Sequence, residues 1–124
     1  MTTILVADDE SHILHVVSLK LQNAGYRVLT ARDGREALEI AQHEHPDLII
    51  TDYHMPELSG LELCRRLKEQ EATSNIPAIM LTARGYCLDE QDTEKSGIRC
   101  MISKPFSPRQ LLATVNDVLS RAAA

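Results

Sequence analysis

The chain has 124 residues, of which 44% are apolar, 25% charged and 3% aromatic with no Trp, the size and balance of one ordinary globular domain, 1–124, that needs no disulfides or structural metal to build a core. A net charge of -5, from 18 acidic and 13 basic residues, gives no global attraction to nucleic acid or an anionic membrane, and the shortage of aromatic side chains removes the platforms on which single-stranded bases stack. Cys64, Cys87 and Cys100 are an odd set without C-x-x-C spacing, against a disulfide framework or zinc ribbon and in favour of a reduced, cytoplasmic setting; with no basic leader and no long apolar run, neither secretion nor membrane insertion is expected.

In chain order, short apolar runs alternate with segments that repeat every three to four residues, the pattern of β-α units around a parallel sheet. Thr3 to Ala7 reads as the first strand, followed by Asp8 and Asp9. Ile13, Val17, Leu21 and Ala24 then make a helical stripe that stops at Gly25, a residue suited to a left-handed C-cap. Arg27 to Thr30 is the second strand, and Asp33 with Glu36 opens the next helix in a variant of the capping box. Asp47 to Asp52 is the third strand; Ser59 with Glu62 opens the third helix, into which Cys64 packs. Ala78 to Thr82 is the fourth strand. The segment Gly85 to Ser96, with Leu88 as its sole large aliphatic residue, reads as a short, weakly packed helix. Arg99 to Ser103 is the fifth strand. Ser107 with Gln110 caps the last helix, with Pro108 at its first position and Leu111, Leu112, Val115, Val118 and Leu119 as its buried face.

The first, third and fourth strands are nearly continuous apolar runs, as expected of strands covered on both faces. Five β-α units give an α/β three-layer sandwich, and right-handed crossovers leave few topologies. In such sheets ligands bind beyond the carboxyl ends of the strands, beside the switch in strand order. That edge collects Asp8 and Asp9 after the first strand, Asp52 at the end of the third, Thr82 at the end of the fourth and Lys104 after the fifth.

Three carboxylates brought together repel, so without compensation at least one holds a proton. Three carboxylates and one Lys sum to about -2, which one Mg2+ neutralises while leaving room for waters and a phosphoryl oxygen. The set also suits phosphoryl transfer, in which a carboxylate acts as nucleophile and a cation, an ammonium and a hydroxyl stabilise charge on the equatorial oxygens. Asp8 and Asp9 also serve as helix caps in an alternative reading, Lys104 as a surface lysine and Thr82 as a plain strand former.

The segments V-A-D-D-E at 6 to 10, D-Y-H-M-P at 52 to 56, T-A at 82 to 83 and K-P-F at 104 to 106 resemble the receiver domains of two-component response regulators, and the resemblance covers essentially the whole chain. Gly60 and Gly97 also stand where such domains usually carry glycine. The resemblance implies a five-stranded parallel sheet in order 2-1-3-4-5. It implies that Asp52 accepts phosphate, that Asp9, Asp52 and the backbone carbonyl of His54 bind Mg2+ directly, and that Asp8 acts through metal-bound water. Thr82 and Lys104 then contact the phosphoryl oxygens, with Ala83 as a further binding residue, and Lys104-Pro105 is a cis peptide.

The function so implied is a phosphorelay switch, not an enzyme beyond its own phosphorylation and slow dephosphorylation. A histidine kinase or histidine phosphotransfer protein loads it, and a protein partner reads the surface of the 85–96 segment, fifth strand and last helix, with the chain a monomer or a phosphorylation-dependent dimer. No nucleic acid or membrane contact is expected of this domain. A receiver cut from a longer regulator or hybrid kinase is the alternative reading, as is a degenerate receiver acting as a constitutive binding module. An aspartyl phosphatase is disfavoured by His54 where such enzymes carry a second Asp, and a flavin module by the acidic residues after the first strand. Two departures from the family pattern stand out. Met101 replaces the aromatic residue that usually swings with Thr82, and His54 and Arg84 flank the phosphoryl position, where they are expected to set the rate of water attack. His12, His15, His43 and His45 read as surface residues, and Cys87 and Cys100 as bystanders.

Overall fold

The computed structural model describes residues 1–82 and 96–123. The expectations for Ala83, Arg84 and Cys87, and for a helix over 85–96 apart from the buried Ser96, fall outside the described residues. Five parallel strands, β1 (Thr3–Ala7), β2 (Arg27–Ala31), β3 (Leu48–Asp52), β4 (Ala78–Thr82) and β5 (Ile98–Ser103), lie in the order β2-β1-β3-β4-β5. The described helices are α1 (Ser11–Asn23), α2 (Gly34–Glu44), α3 (Gly60–Glu69) and α4 (Pro108–Ala123).

Every residue of β1, β3 and β4 is buried, because these central strands are covered on both faces. Ile4, Val6, Ile50 and Leu81 pack against Val17 and Leu21 of α1 and Leu111 and Val115 of α4. On the opposite face Leu5, Ala7 and Ile49 meet Ala37 and Ala41 of α2 and Leu63 and Leu67 of α3. The three layers therefore form from strand alternation: odd and even positions of one strand feed two separate cores.

All three capping boxes are present in their first half. Asp33 Oδ1 accepts from the Glu36 N–H at 2.8 Å, Ser59 Oγ from Glu62 at 3.2 Å and Ser107 Oγ from Gln110 at 3.4 Å. At the end of α1, Gly25 adopts φ +96°, its N–H donates to the Gln22 carbonyl and that of Tyr26 to Leu21, which together make a Schellman turn.

Three details differ from the sequence reading. The innermost residues of α1 are Leu14, Val17 and Leu21, while Ile13 is half-buried and Ala24 lies exposed past the helix end. Successive residues turn about 100° around a helix, so positions 13 and 14 share the apolar face, and the sheet takes the second of them. Asp47 sits outside β3, where its carboxylate accepts from the Thr3 N–H at 2.9 Å and its own N–H donates to the Thr3 carbonyl. The outer strands β2 and β5 each run one residue further than expected, to Ala31 and from Ile98, because their neighbours extend the hydrogen-bonded ladder.

Candidate functional site

Backbone pairing carries the functional residues past the strand ends in a fixed register. The Asp8 N–H donates to the Ala31 carbonyl at 3.1 Å, which continues the β1–β2 pairing by one step. The Lys104 N–H donates to the Thr82 carbonyl at 2.6 Å and so fixes Lys104 beside the end of β4, and the Lys104-Pro105 peptide is cis. Asp52 closes β3 opposite Leu81, and the Tyr53 N–H donates to the Leu81 carbonyl just beyond it.

The start of α3 packs directly on Asp52. A Cβ added at Gly60 would lie 2.2 Å from the Asp52 carbonyl oxygen, well inside contact distance. The Gly60 N–H also donates to the Tyr53 carbonyl at 2.9 Å. Glycine is required there because the backbone of α3 must approach the strand end without a side chain between them.

Asp8, Asp52 and Lys104 come together as one buried charge cluster. The Lys104 ammonium lies 2.9 Å from Asp8 Oδ2 and 3.3 Å from Asp52 Oδ1, and the side chains are 14%, 0% and 11% exposed respectively. The second oxygen of Asp8 accepts from the Glu10 N–H at 2.9 Å, so this fully buried carboxylate is paired on both sides. Thr82 is buried at the end of β4, where it faces Ser103 of β5 in register. Asp9 and His54 are exposed at the same edge, and the His54 ring meets Tyr53 edge-on with centroids 4.7 Å apart.

Burial is the largest cause raising the Asp52 pKa; the charge of Asp8 adds to it and that of Asp9 adds less, against the opposing pull of Lys104. Burial alone would lower the Lys104 pKa, but its hydrogen bond to Asp8 and the charges of Asp52 and Asp8 outweigh that and raise it. The expected mutual repulsion of the carboxylates is thus present at Asp52, opposed by the Lys104 ammonium, and burial adds the larger upward push.

Glu10 was not singled out in the sequence. Its carboxylate reaches to 3.9 Å from the Lys104 ammonium, and ligand oxygens of Asp8, Asp9 and Glu10 all lie within 4.8 Å of one another. The available signal was the third acid in V-A-D-D-E. Every side-chain donor in this cluster is a carboxylate oxygen, the ligand type of Mg2+, and the Lys104 ammonium already shows where positive charge is accommodated between Asp8 and Asp52. The residues present therefore fit a hard divalent cation.

Met101 is half-buried and packs with Tyr53 against the cluster of Leu61, Cys64, Met80 and Ile98. Cys64 is buried in α3 as expected, and burial pushes its thiol up to about 12. His12, His15, His43 and His45 are exposed. Among the described residues no helix is long and apolar enough to cross a membrane.

Comparison with known proteins places these features in a family. The model of the response regulator receiver domain matches residues 4–116. The chain is 43% identical over 123 residues to the phosphate regulon transcriptional regulatory protein PhoB of Pseudomonas aeruginosa, covering 96% of this chain and 52% of that protein. It thus spans about half the length of the curated relatives it matches. Among solved structures, the chemotaxis response regulator CheY4 of Vibrio cholerae superposes with a TM-score of 0.87 at 39% identity, over 95% of this chain and 98% of that one. The receiver domain of the sensor histidine kinase PA1611 from Pseudomonas aeruginosa, which has a magnesium ion coordinated in its active-site cleft, superposes with a TM-score of 0.85 at 28% identity, over 96% of this chain and 98% of that one.

Proposed function

The chain belongs to the response regulator receiver domain family, and from that premise we propose that it is a phosphorylation-dependent switch in which Asp52 accepts a phosphoryl group in a Mg2+-dependent step. The observation that carries this reading is the meeting of Asp52 and Asp8 on one Lys104 ammonium, at 3.3 and 2.9 Å, at the carboxyl edge of a parallel sheet.

An Asp52 oxygen forms the new bond to phosphorus as the P–N bond of a phosphohistidine breaks in a histidine kinase or histidine phosphotransfer protein. The burial and the Asp8 charge that raise the Asp52 pKa make its ionised form a stronger nucleophile. Lys104, already in contact with Asp52, turns one N–H to a phosphoryl oxygen, and the Thr82 hydroxyl donates to another. Asp9, Asp52 and the His54 carbonyl would hold Mg2+, with Asp8 acting through water, and the ion would supply positive charge for the equatorial oxygens. His54 adjusts how readily water reaches the phosphoryl group. The chain catalyses its own loading and slow unloading and no other reaction.

Phosphorylation then shifts an existing balance of two conformations to the extent that the phosphoryl group binds them differently. A protein partner reads the shift on the surface of β5 and α4, with Met101 in place of a swinging aromatic side chain. The domain works in the cytoplasm, as a monomer or as a dimer formed on phosphorylation, without contacting nucleic acid itself. A second reading has support in the half-length match to transcriptional regulators: the chain is the receiver part of a longer regulator whose output lies elsewhere. Borohydride reduction of the loaded protein followed by peptide mapping tests the assignment. Conversion of residue 52 to homoserine supports it, and modification at another position removes it.

A further inference from the structure

Helix α1 begins at a side chain that does not cap it. Glu10 is the N-cap, its carbonyl accepting from the Leu14 N–H at 3.1 Å, yet its carboxylate makes no capping hydrogen bond. Ser, Thr, Asp or Asn at that position would accept from the first N–H groups of the helix, and glutamate gives that up. The Glu10 carboxylate, on a side chain 60% exposed, instead reaches to 3.9 Å from the Lys104 ammonium. The Glu10 N–H donates to Asp8 Oδ1, while Asp8 Oδ2 holds the same ammonium. Backbone and side chain of one residue are thus both tied to the Asp8–Lys104 pair.

Two distances bound the reach of this charge. A phosphoryl oxygen hydrogen-bonded to Lys104 at about 2.8 Å lies no more than about 7 Å from the Glu10 carboxylate, wherever on the ammonium it sits. A cation bound at about 2.1 Å to the Asp9 carboxylate is similarly near, at about 7 Å, because ligand oxygens of Asp9 and Glu10 lie within 4.8 Å of each other. Both lie inside the ~10 Å over which charges act at 0.1 M salt. Glu10 therefore attracts the cation and repels the phosphoryl oxygens.

We infer that Glu10 is a charge-selecting residue of the acceptor site, which tightens binding of the cation and slows loading by small anionic phosphoryl donors such as acetyl phosphate. The inference rests on the reading of Asp52 as phosphoacceptor. In the step affected, an Asp52 oxygen bonds to phosphorus while the P–O bond to acetate breaks, and acetate departs with the electron pair. The repulsion does not depend on where the leaving group points, because the phosphoryl oxygens themselves lie within range of Glu10. Removing the charge therefore has two opposed effects. The cation binds more weakly, yet once the cation is saturating the donor reacts faster, whereas loss of a plain metal ligand would only slow the reaction.

The test compares the full chain with Glu10→Gln and Glu10→Asp at about 0.1 M and about 1 M salt, where the screening length is ~10 and ~3 Å. Mg2+ affinity is read from amide shifts in NMR titrations. Loading by sub-saturating acetyl phosphate, at Mg2+ saturating for each protein, is read by intact mass. At the lower salt Glu10→Gln should bind Mg2+ about fivefold more weakly, a difference of ~1 kcal/mol, and load about threefold faster. Both differences should shrink below about 1.5-fold at the higher salt, and Glu10→Asp, which keeps the charge, should stay within about twofold of the parent. Unchanged Mg2+ affinity in Glu10→Gln, loading no faster than the parent, or differences that persist at the higher salt would each overturn the role of Glu10 alone. Failure of the parent to load overturns the phosphoacceptor reading and the role of Glu10 with it.

Discussion

Replacing Lys104 by Met removes the ammonium that lies between two buried carboxylates and keeps a side chain of similar length. Asp8 is fully buried and Asp52 nearly so, and the ammonium contacts both, at 2.9 and 3.3 Å. Breaking a buried pair by removing one partner costs about 3–5 kcal/mol. The low end applies, because Asp8 keeps its hydrogen bond from the Glu10 N–H and Asp52 can hold a proton. The exposed Glu10 contact adds little. For 124 residues, an unfolding entropy of about 2.1 cal/mol/K per residue gives ~0.26 kcal/mol/K, so a loss of about 3 kcal/mol lowers Tm by ~12 °C. Thermal unfolding in chelator, followed by far-UV circular dichroism, measures this directly. Mg2+ should return part of the loss, since a cation at the carboxylates replaces the missing charge, and Asp8→Asn in the Lys104→Met background should return part of it without metal. A fall below about 3 °C in chelator, under ~1 kcal/mol by the same conversion, would refute the argument that Lys104 holds the carboxylates together.

Further outcomes follow from the same geometry. Because burial, then the Asp8 charge, raises the Asp52 pKa, the native state keeps a proton that the unfolded chain has released; metal-free stability therefore falls as pH rises from about 4, the ordinary carboxylate value, to the raised native one. Asp52→Asn should flatten that part of a stability–pH curve, and an unchanged slope would contradict it. Lys104 acts at the other end: its contribution is complete below the ordinary lysine range and is lost as pH passes the raised native value. Gly60→Ala places a Cβ 2.2 Å from the Asp52 carbonyl and should destabilise by about 1–3 kcal/mol, with amide shifts at residues 52 and 53 in NMR spectra; an unshifted spectrum would show that α3 does not rest on Asp52. Ser59→Ala should cost about 1 kcal/mol by loss of its cap in a denaturant titration. Asp9→Asn should abolish the gain in Tm that Mg2+ gives the parent, without a comparable loss in chelator.

What sequence could show depended on how local the signal is. The strands announced themselves because both faces of the sheet are covered, so Ile4 to Ala7 and Leu48 to Ile50 are uninterrupted apolar runs. The helix starts were legible because a cap and its partner lie three residues apart, as in Ser59 with Glu62. Strand order and the roles at the acceptor site came from the family resemblance joined to the rule for strand ends. Which carboxylates share the ammonium was not legible. Asp8 lies 96 residues from Lys104, and the successive register of β1 on β3, β3 on β4 and β4 on β5 brings them together. Glu10 escaped notice because an exposed Glu before a helix reads as solvated surface until Lys104 is placed beside it. The family pattern pointed to Gly60, but the reason for it was not legible, since its neighbour is the backbone of Asp52, eight residues earlier. His45 takes a left-handed cap conformation at φ +48°, a position where glycine would have been the readable signal.

The most direct test of the central claim is the intact mass of the protein after incubation with acetyl phosphate or phosphoramidate, with and without Mg2+, beside the Asp52→Asn variant. The account predicts a Mg2+-dependent gain of one phosphoryl group that disappears in the variant. A gain that persists in Asp52→Asn, or no gain with either donor in Mg2+, would contradict it, and the second result would favour a degenerate receiver that binds its partner constitutively.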